Sequence, residues 1–132
     1  MKRLAIAVMV AMIIGVSGMM LKSGSVDAVE APKKVLRHIV LFKFSDEESA
    51  KRITEAFVAL EDQIDLIKDF EWGTNVSKEG LDKGLTHGFT LTFHSQADLD
   101  AYIVHEAHKG FVAGLDGKVA DVCVFDYWTA TE

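Results

Sequence analysis

The sequence predicts an α+β fold of ferredoxin-like order, βαββαβ, with one four-stranded antiparallel sheet and both helices on a single face. Three observations predict it. Runs rich in β-branched and aromatic residues occur four times between residues 35 and 128. Two amphipathic segments, each preceded by a capping serine, separate the first run from the second and the third from the fourth. No internal repeat or low-complexity tract interrupts that order.

The first strand covers residues 35–44, apolar except for Arg37, His38 and Lys43. Period two places His38, Val40, Phe42 and Phe44 on one face and Arg37, Ile39, Leu41 and Lys43 on the other. Ser45 with Glu48 three residues later is a capping-box signature for the first helix. Ala50, Ile53, Phe57, Leu60, Ile64 and Ile67 then recur at helical spacing. Residues 69–76 alternate Phe70, Trp72, Thr74 and Val76, a second strand, and residues 77–84 are a polar loop with two glycines. In the third strand, residues 86–93, His87, Phe89, Leu91 and Phe93 share a face opposite Thr86, Gly88, Thr90 and Thr92. Ser95 caps a second helix carrying Leu99, Tyr102 and Ile103. Gly110, Gly114 and Gly117 predict a loop next, and residues 119–128 form the last strand.

Residues 1–28 are expected to lie outside this fold as a cleaved signal peptide. Lys2 and Arg3 precede an uncharged 18-residue run, residues 4–21, and Val26 and Ala28 suit a cut after Ala28. The rival reading is a retained membrane anchor, weakened by Gly15, Ser17 and Gly18. Either way the domain is expected outside the cytoplasm, periplasmic or secreted. Residues 29–34 are a short leader containing Pro32, the sole proline, and residues 35–132 form one domain.

Of 14 Lys/Arg and 20 Asp/Glu residues in the chain, residues 1–28 hold three and one, so the remainder carries a charge of −8. An acidic domain without a basic stripe is a poor ligand for nucleic acid or anionic lipid, so a membrane contact is expected only if the N-terminal segment stays uncleaved. Cys123, the single cysteine, has no internal disulfide partner and is expected to be a buried residue of the last strand. With both helices on one face, Ile39, Leu41, Phe125 and Tyr127 would be exposed on the other, which predicts a homodimer through the sheet face.

The chemistry-bearing residues cluster late in the chain. Tyr102, His105 and His108 lie within seven positions, and a phenol beside imidazoles can move protons near neutral pH without a metal or cofactor. His38 and His87 sit on strand faces with Val40, Phe42 and Phe89, where they are either satisfied core residues or the lining of a ligand cavity. His105 and His108 supply at most two ligands for zinc, and no metal or cofactor is expected. No serine sits in a nucleophile-elbow context.

Five pieces occur in order: Arg37-His38-Ile39-Val40-Leu41-Phe42-Lys43-Phe44, Glu71-Trp72-Gly73, Thr86-His87, the segment Tyr102…His105…His108…Phe111, and Val124-Phe125-Asp126-Tyr127. Together they resemble the Dabb family, the stress-responsive dimeric α/β-barrel domain, over about residues 35–130. The resemblance implies a homodimer whose two sheets form a barrel with helices outside, and a stress-associated role. A plant member closes a poly-β-keto chain by aldol condensation without metal or cofactor. Its catalytic tyrosine and histidine fall on Tyr102 and His108, and its other pocket histidines on His38, His87 and His105. On that model His108 is the general base and Tyr102 donates to the developing enolate oxygen. Glu106 departs from the cyclase, which carries proline there, and its carboxylate is expected to alter local charge and histidine pairing.

The expected function is therefore that of an exported stress-responsive A/B-barrel protein binding a small apolar or aromatic ligand, with Val40, Phe42, Phe89, His38, His87 and His105 lining the pocket. The alternative is a cofactor-independent polyketide cyclase or aldol-type lyase using Tyr102 and His108 as its acid–base pair. A third is a structural partner domain with a filled interior.

Overall fold

A computed structural model describes residues 33–130, which fall within one compact unit, Pro32–Glu132. The expected signal peptide, and most of the leader, lie outside the described residues. Among the described residues no helix is long and apolar enough to cross a membrane.

The elements run β1 (Leu36–Phe44), α1 (Glu47–Gln63), β2 (Asp69–Thr74), β3 (His87–Phe93), α2 (Gln96–Ile103), α3 (Glu106–Ala113) and β4 (Val119–Trp128). The sheet order is β2-β3-β1-β4 with every pair antiparallel. Register places His38 opposite Leu91 on one side and Asp126 on the other, and Phe42 opposite His87 and Val122. Leu36, His38, Val40 and Phe42 therefore share a face with Phe89, Leu91 and Phe93, and all are buried. Ile53, Phe57 and Leu60 of α1, Leu99 and Tyr102 of α2 and Phe111 of α3 close one apolar core over that face. Period two in the strands and period 3.6 in α1 meet there, which is why the two patterns suffice to build the layer pair.

Three local expectations are corrected. The cap of α1 is Asp46, not Ser45: its carboxylate accepts from the Ser49 backbone N–H at 2.7 Å and from the Ser49 hydroxyl at 3.1 Å. A carboxylate at a helix N-terminus gains from the dipole that a serine does not exploit, so the start moves one residue along. The first part of the glycine-bearing stretch after α2, Glu106–Ala113, is the helix α3 and not a loop, while Gly114 caps it and Gly117 lies in the turn before β4. Gly110 costs helical propensity, yet the cap supplied by His105 and the burial of Phe111 outweigh it over eight residues. Cys123 is exposed, not buried, because β4 is a sheet edge and Cys123 lies opposite Leu41 on the face without helices.

That helix-free face holds Ile39 and Leu41, both partly buried, beside Phe125 and Tyr127, which are 61% and 41% exposed. Val122, Val124 and Trp128 of β4 point the other way, in register with the core residues Phe42, Val40 and Leu36, and are also exposed. The ten-residue edge strand is thus largely apolar, with Asp121 and Asp126 as its charged residues, and exposed on both faces beyond Val119.

Candidate functional site

The short connection between α2 and α3 builds the densest cluster of polar aromatic groups. α2 opens at Ser95, whose hydroxyl accepts from the Asp98 N–H at 3.1 Å, and its spacing turns Leu99 and Tyr102 inward. Val104 and His105 then reverse the chain, with the His105 N–H donating to the Tyr102 carbonyl at 3.1 Å. The His105 imidazole caps α3 by accepting from the Ala107 N–H through Nδ1 at 3.0 Å. His108 lies three residues after that cap and comes back over Tyr102, with ring centroids 4.4 Å apart.

Tyr102 is completely buried. Its ring lies 5.7 Å from His38 and 5.1 Å from Phe93, centroid to centroid. Its hydroxyl is buried and has no hydrogen-bond partner. Burial pushes its pKa upward, so at ordinary pH the group is a neutral phenol able to donate.

The two adjoining imidazoles are fixed as the same tautomer. His38 Nδ1 lies 2.6 Å from Asp126 Oδ1, and His108 Nδ1 lies 2.9 Å from the Ile103 carbonyl. A carboxylate and a carbonyl only accept, so each Nδ1 donates, which leaves Nε2 as the lone-pair nitrogen whenever the ring is neutral. Burial lowers the His108 pKa, helped by the charges His38 and His105 would carry, while the Ile103 carbonyl pulls the other way. Neutral His108 beside a protonated Tyr102 is a base next to a hydrogen-bond donor.

Burial also lowers the pKa of His87. An unfolded chain takes up protons near the ordinary value of 6.5, and these two folded histidines do so only at lower pH. Stability is therefore expected to be level above pH 6.5 and to decline as pH falls from 6.5 through the folded values. Urea midpoints measured across that range check it, and His108→Gln should flatten the slope. A midpoint that rises on acidification contradicts this assignment.

His87 does not join the cluster. It sits four residues along β3 from Leu91, the partner of His38, which is about 13 Å along a strand. There it bonds Thr86 Oγ1 at 2.8 Å and packs against Phe44 and Trp72. Val40, Phe42 and Phe89 are core residues of the same interior. His105 acts as helix cap, while Glu106 faces solvent and pairs with Lys109 at 3.3 Å, so its carboxylate engages no histidine. The expected influence of Glu106 on histidine pairing is thereby corrected.

Asp126 is the partner that residue-by-residue reading passed over, although it was part of the family string. The available signal was a carboxylate inside an apolar strand, opposite His38 once β1 and β4 pair antiparallel. Phe93, read in sequence only as part of an inward strand face, and Phe111, read only as a member of the family string, wall the cluster.

The family model described as Stress responsive A/B Barrel Domain matches residues 36–129. Stress-response A/B barrel domain-containing protein HS1 of Arabidopsis thaliana is 36% identical over 102 residues, covering 75% of this chain and 94% of its own length. Olivetolic acid cyclase of Cannabis sativa is 33% identical over 95 residues, covering 70% and 94%. A solved dimeric ferredoxin-like protein from Jannaschia sp. CCS1 superposes with a TM-score of 0.62 at 28% identity, covering 70% of this chain and 97% of that one.

Proposed function

The chain belongs to the stress responsive A/B barrel (Dabb) family, and on that footing we propose that it is a homodimer that holds a small, largely apolar or aromatic molecule against Tyr102. One observation carries the reading: the Tyr102 hydroxyl is buried between two imidazole-bearing elements with nothing to bond. Leaving such a group unsatisfied costs about 1–3 kcal/mol, and a ligand oxygen placed there recovers it. The surrounding Phe93 and Phe111 suit an apolar body, and His38 and His108 each offer Nε2 to a ligand hydroxyl or acidic C–H. Entry requires α3 to shift. That helix is eight residues long and buries only Phe111, so it is the least anchored of the three.

The neutral state of His108 next to a protonated phenol favours a second reading, a cofactor-free cyclase or aldol-type lyase. His108 Nε2 would take a proton from a carbon beside a carbonyl, the C–H electron pair would move into the enolate, and Tyr102 would bond the resulting oxyanion. The cyclase relative supports this chemistry as a class.

Native mass spectrometry of protein purified from its own cells tests both. Under the binding reading the folded protein carries a small-molecule mass, and Tyr102→Phe loses it while gaining about 1–2 kcal/mol of stability over ligand-free wild type from the deleted orphan hydroxyl. Under the catalytic reading Tyr102→Phe and His108→Ala abolish turnover of the identified compound but retain it within roughly tenfold of wild-type affinity. Wild type that carries no ligand, with Tyr102→Phe less stable than its parent, removes both.

The dimer is supported by the exposed β4 edge and by the dimeric solved structure from Jannaschia sp. CCS1. Export is supported by the charge pattern and cut site of residues 1–28, and N-terminal sequencing of the cellular protein should begin at Val29. An N-terminus at Met1 would overturn the cleavage and leave the retained anchor, and recovery of the protein in the cytoplasmic fraction would overturn export.

A further inference from the structure

We propose that the helix-free face of the sheet docks a second copy of this chain in one defined way. Phe125 of each copy fills a hollow over Gly73 and Gly88 of the other, about a two-fold axis that runs along the strands. The inference rests on the homodimer of the proposed function and adds its seat, its axis and its register.

The hollow has a volume of about 270 Å³ and is walled by Ile39, Leu41, Glu71, Gly73, Gly88 and Thr90. Its cause is local. Gly73 and Gly88 pair in the β2–β3 ladder, so two adjacent positions of this face carry no side chain. Leu41 stands next to them in register with Gly88, and a Cβ on Gly88 would lie 3.2 Å from its Cδ2. A Cβ on Gly73 would meet nothing within 4 Å, so the hollow is apolar at Leu41 and open at Gly73.

The matching knob sits on the opposite edge of the same face. Phe125 of β4 is 61% exposed, and Glu71, Thr90, Ile39 and Phe125 form one row across the sheet. Gly73, Gly88, Leu41 and Cys123 form the next row, and the hollow spans both. Aligned packing keeps the strands of two stacked sheets within about 30° of each other. A two-fold axis between them and along the strands exchanges the β4 side with the β2 side and leaves height along the strands unchanged. It therefore sets Phe125 of one copy over the Glu71–Thr90 end of the other copy's hollow, and symmetry supplies the reverse contact. An axis across the strands would stack β4 on β4 and leave both hollows empty, which close packing disfavours.

Charge also favours a like copy here. Residues 29–132 carry −8, so two copies repel in most orientations. On this face Arg37 and Lys43 of β1 offset all but one of the carboxylates Asp69, Glu71 and Asp121.

Dimer dissociation constants from sedimentation equilibrium test the seat. Gly73→Phe fills the hollow from within its own chain, meets no neighbour there, and should raise the constant at least about tenfold. An aromatic added to an ordinary surface would tighten self-association, so the sign is diagnostic. Phe125→Ala should weaken the dimer to a similar degree by removing the knob. Combining Gly73→Phe with Phe125→Ala moves the knob to β2, and the same axis seats it in the space vacated on the other copy. The double variant should therefore dimerise at least about tenfold more tightly than the two single effects added together. In a dimer mixed from labelled and unlabelled copies, Phe125 ring protons should show NOEs to the Gly73 Hα. Within one chain those residues lie three strands apart, about 14 Å, beyond the reach of an NOE. An unchanged constant in Gly73→Phe, additive single effects, or no such NOE in a dimeric wild type would each overturn this seat and leave the homodimer standing. A monomeric wild type overturns both.

Discussion

Phe57→Ala is expected to lower the stability of the domain by about 3–5 kcal/mol, the upper range for a buried aromatic. Phe57 is 1% exposed and joins α1 to α3 and to three strands of the sheet. Its ring lies 4.6 Å from Phe111 of α3, 4.7 Å from Phe89 of β3, 5.3 Å from Phe70 of β2 and 6.2 Å from Phe42 of β1, centroid to centroid. The strand residues are fixed by the β1–β3 and β2–β3 ladders, so the walls of the void cannot fall inward. For a domain of this size a 4 kcal/mol loss corresponds to a fall in Tm of roughly 16–32 °C. Because Phe111 is the one buried residue of α3, that helix should loosen first and its amides should exchange faster than those of α1. Urea unfolding at one fixed protein concentration gives the number. A loss below about 1 kcal/mol would mean that these rings do not pack as described.

Phe125→Glu should convert a dimer into a monomer. Phe125 is exposed on the helix-free face beside Ile39, its partner in the β1–β4 ladder, with Tyr127 two residues on. An apolar edge strand of this length is covered by a partner or becomes an aggregation hazard. Placing an unpaired carboxylate in that contact costs several kcal/mol, enough to raise the dissociation constant by roughly a hundredfold or more. Sedimentation velocity at micromolar concentration reads the result directly, and the isolated chain should keep its secondary structure because Phe125 lies outside the core. Wild type sedimenting as a monomer would end the homodimer proposal.

These two residues also show what could be read before any coordinates. Phe57 announced itself through the spacing of Ile53, Leu60 and Ile64, since only the inward side of a helix repeats apolar residues in that way. Phe125 announced itself through alternation in a strand whose second face no helix was available to cover. By contrast, α3 was hidden. Three glycines at positions 110, 114 and 117 look like a loop, and what makes the segment helical is a histidine cap and one phenylalanine reaching Phe57. The Asp46 cap was hidden for a smaller reason: Ser45 and Asp46 are both good caps, and which one starts the helix depends on how the chain leaves β1. Cys123 was misplaced because an edge strand exposes residues that a central strand would bury.

The site divides in the same way. Sequence gathered Tyr102, His105 and His108 because they lie within two turns of chain, and local proximity survives folding. It also grouped His38 with His87, and the fold separates them: both face the helices, but a common face says nothing about distance along the strands. The pairing of His38 with Asp126 spans 88 residues and exists only because β1 and β4 meet in one register. Sequence by itself thus determined the four strands, the first two helices, their inward faces and the family, since periodicity and local spacing are properties of the chain. Tertiary structure decided the pairing of His38 Nδ1 with Asp126, the isolation of His87 and the buried Tyr102 hydroxyl left without a partner. Those depend on which atoms distant segments bring together, and hydrogen bonds form over a few ångströms of space, not over positions in a sequence.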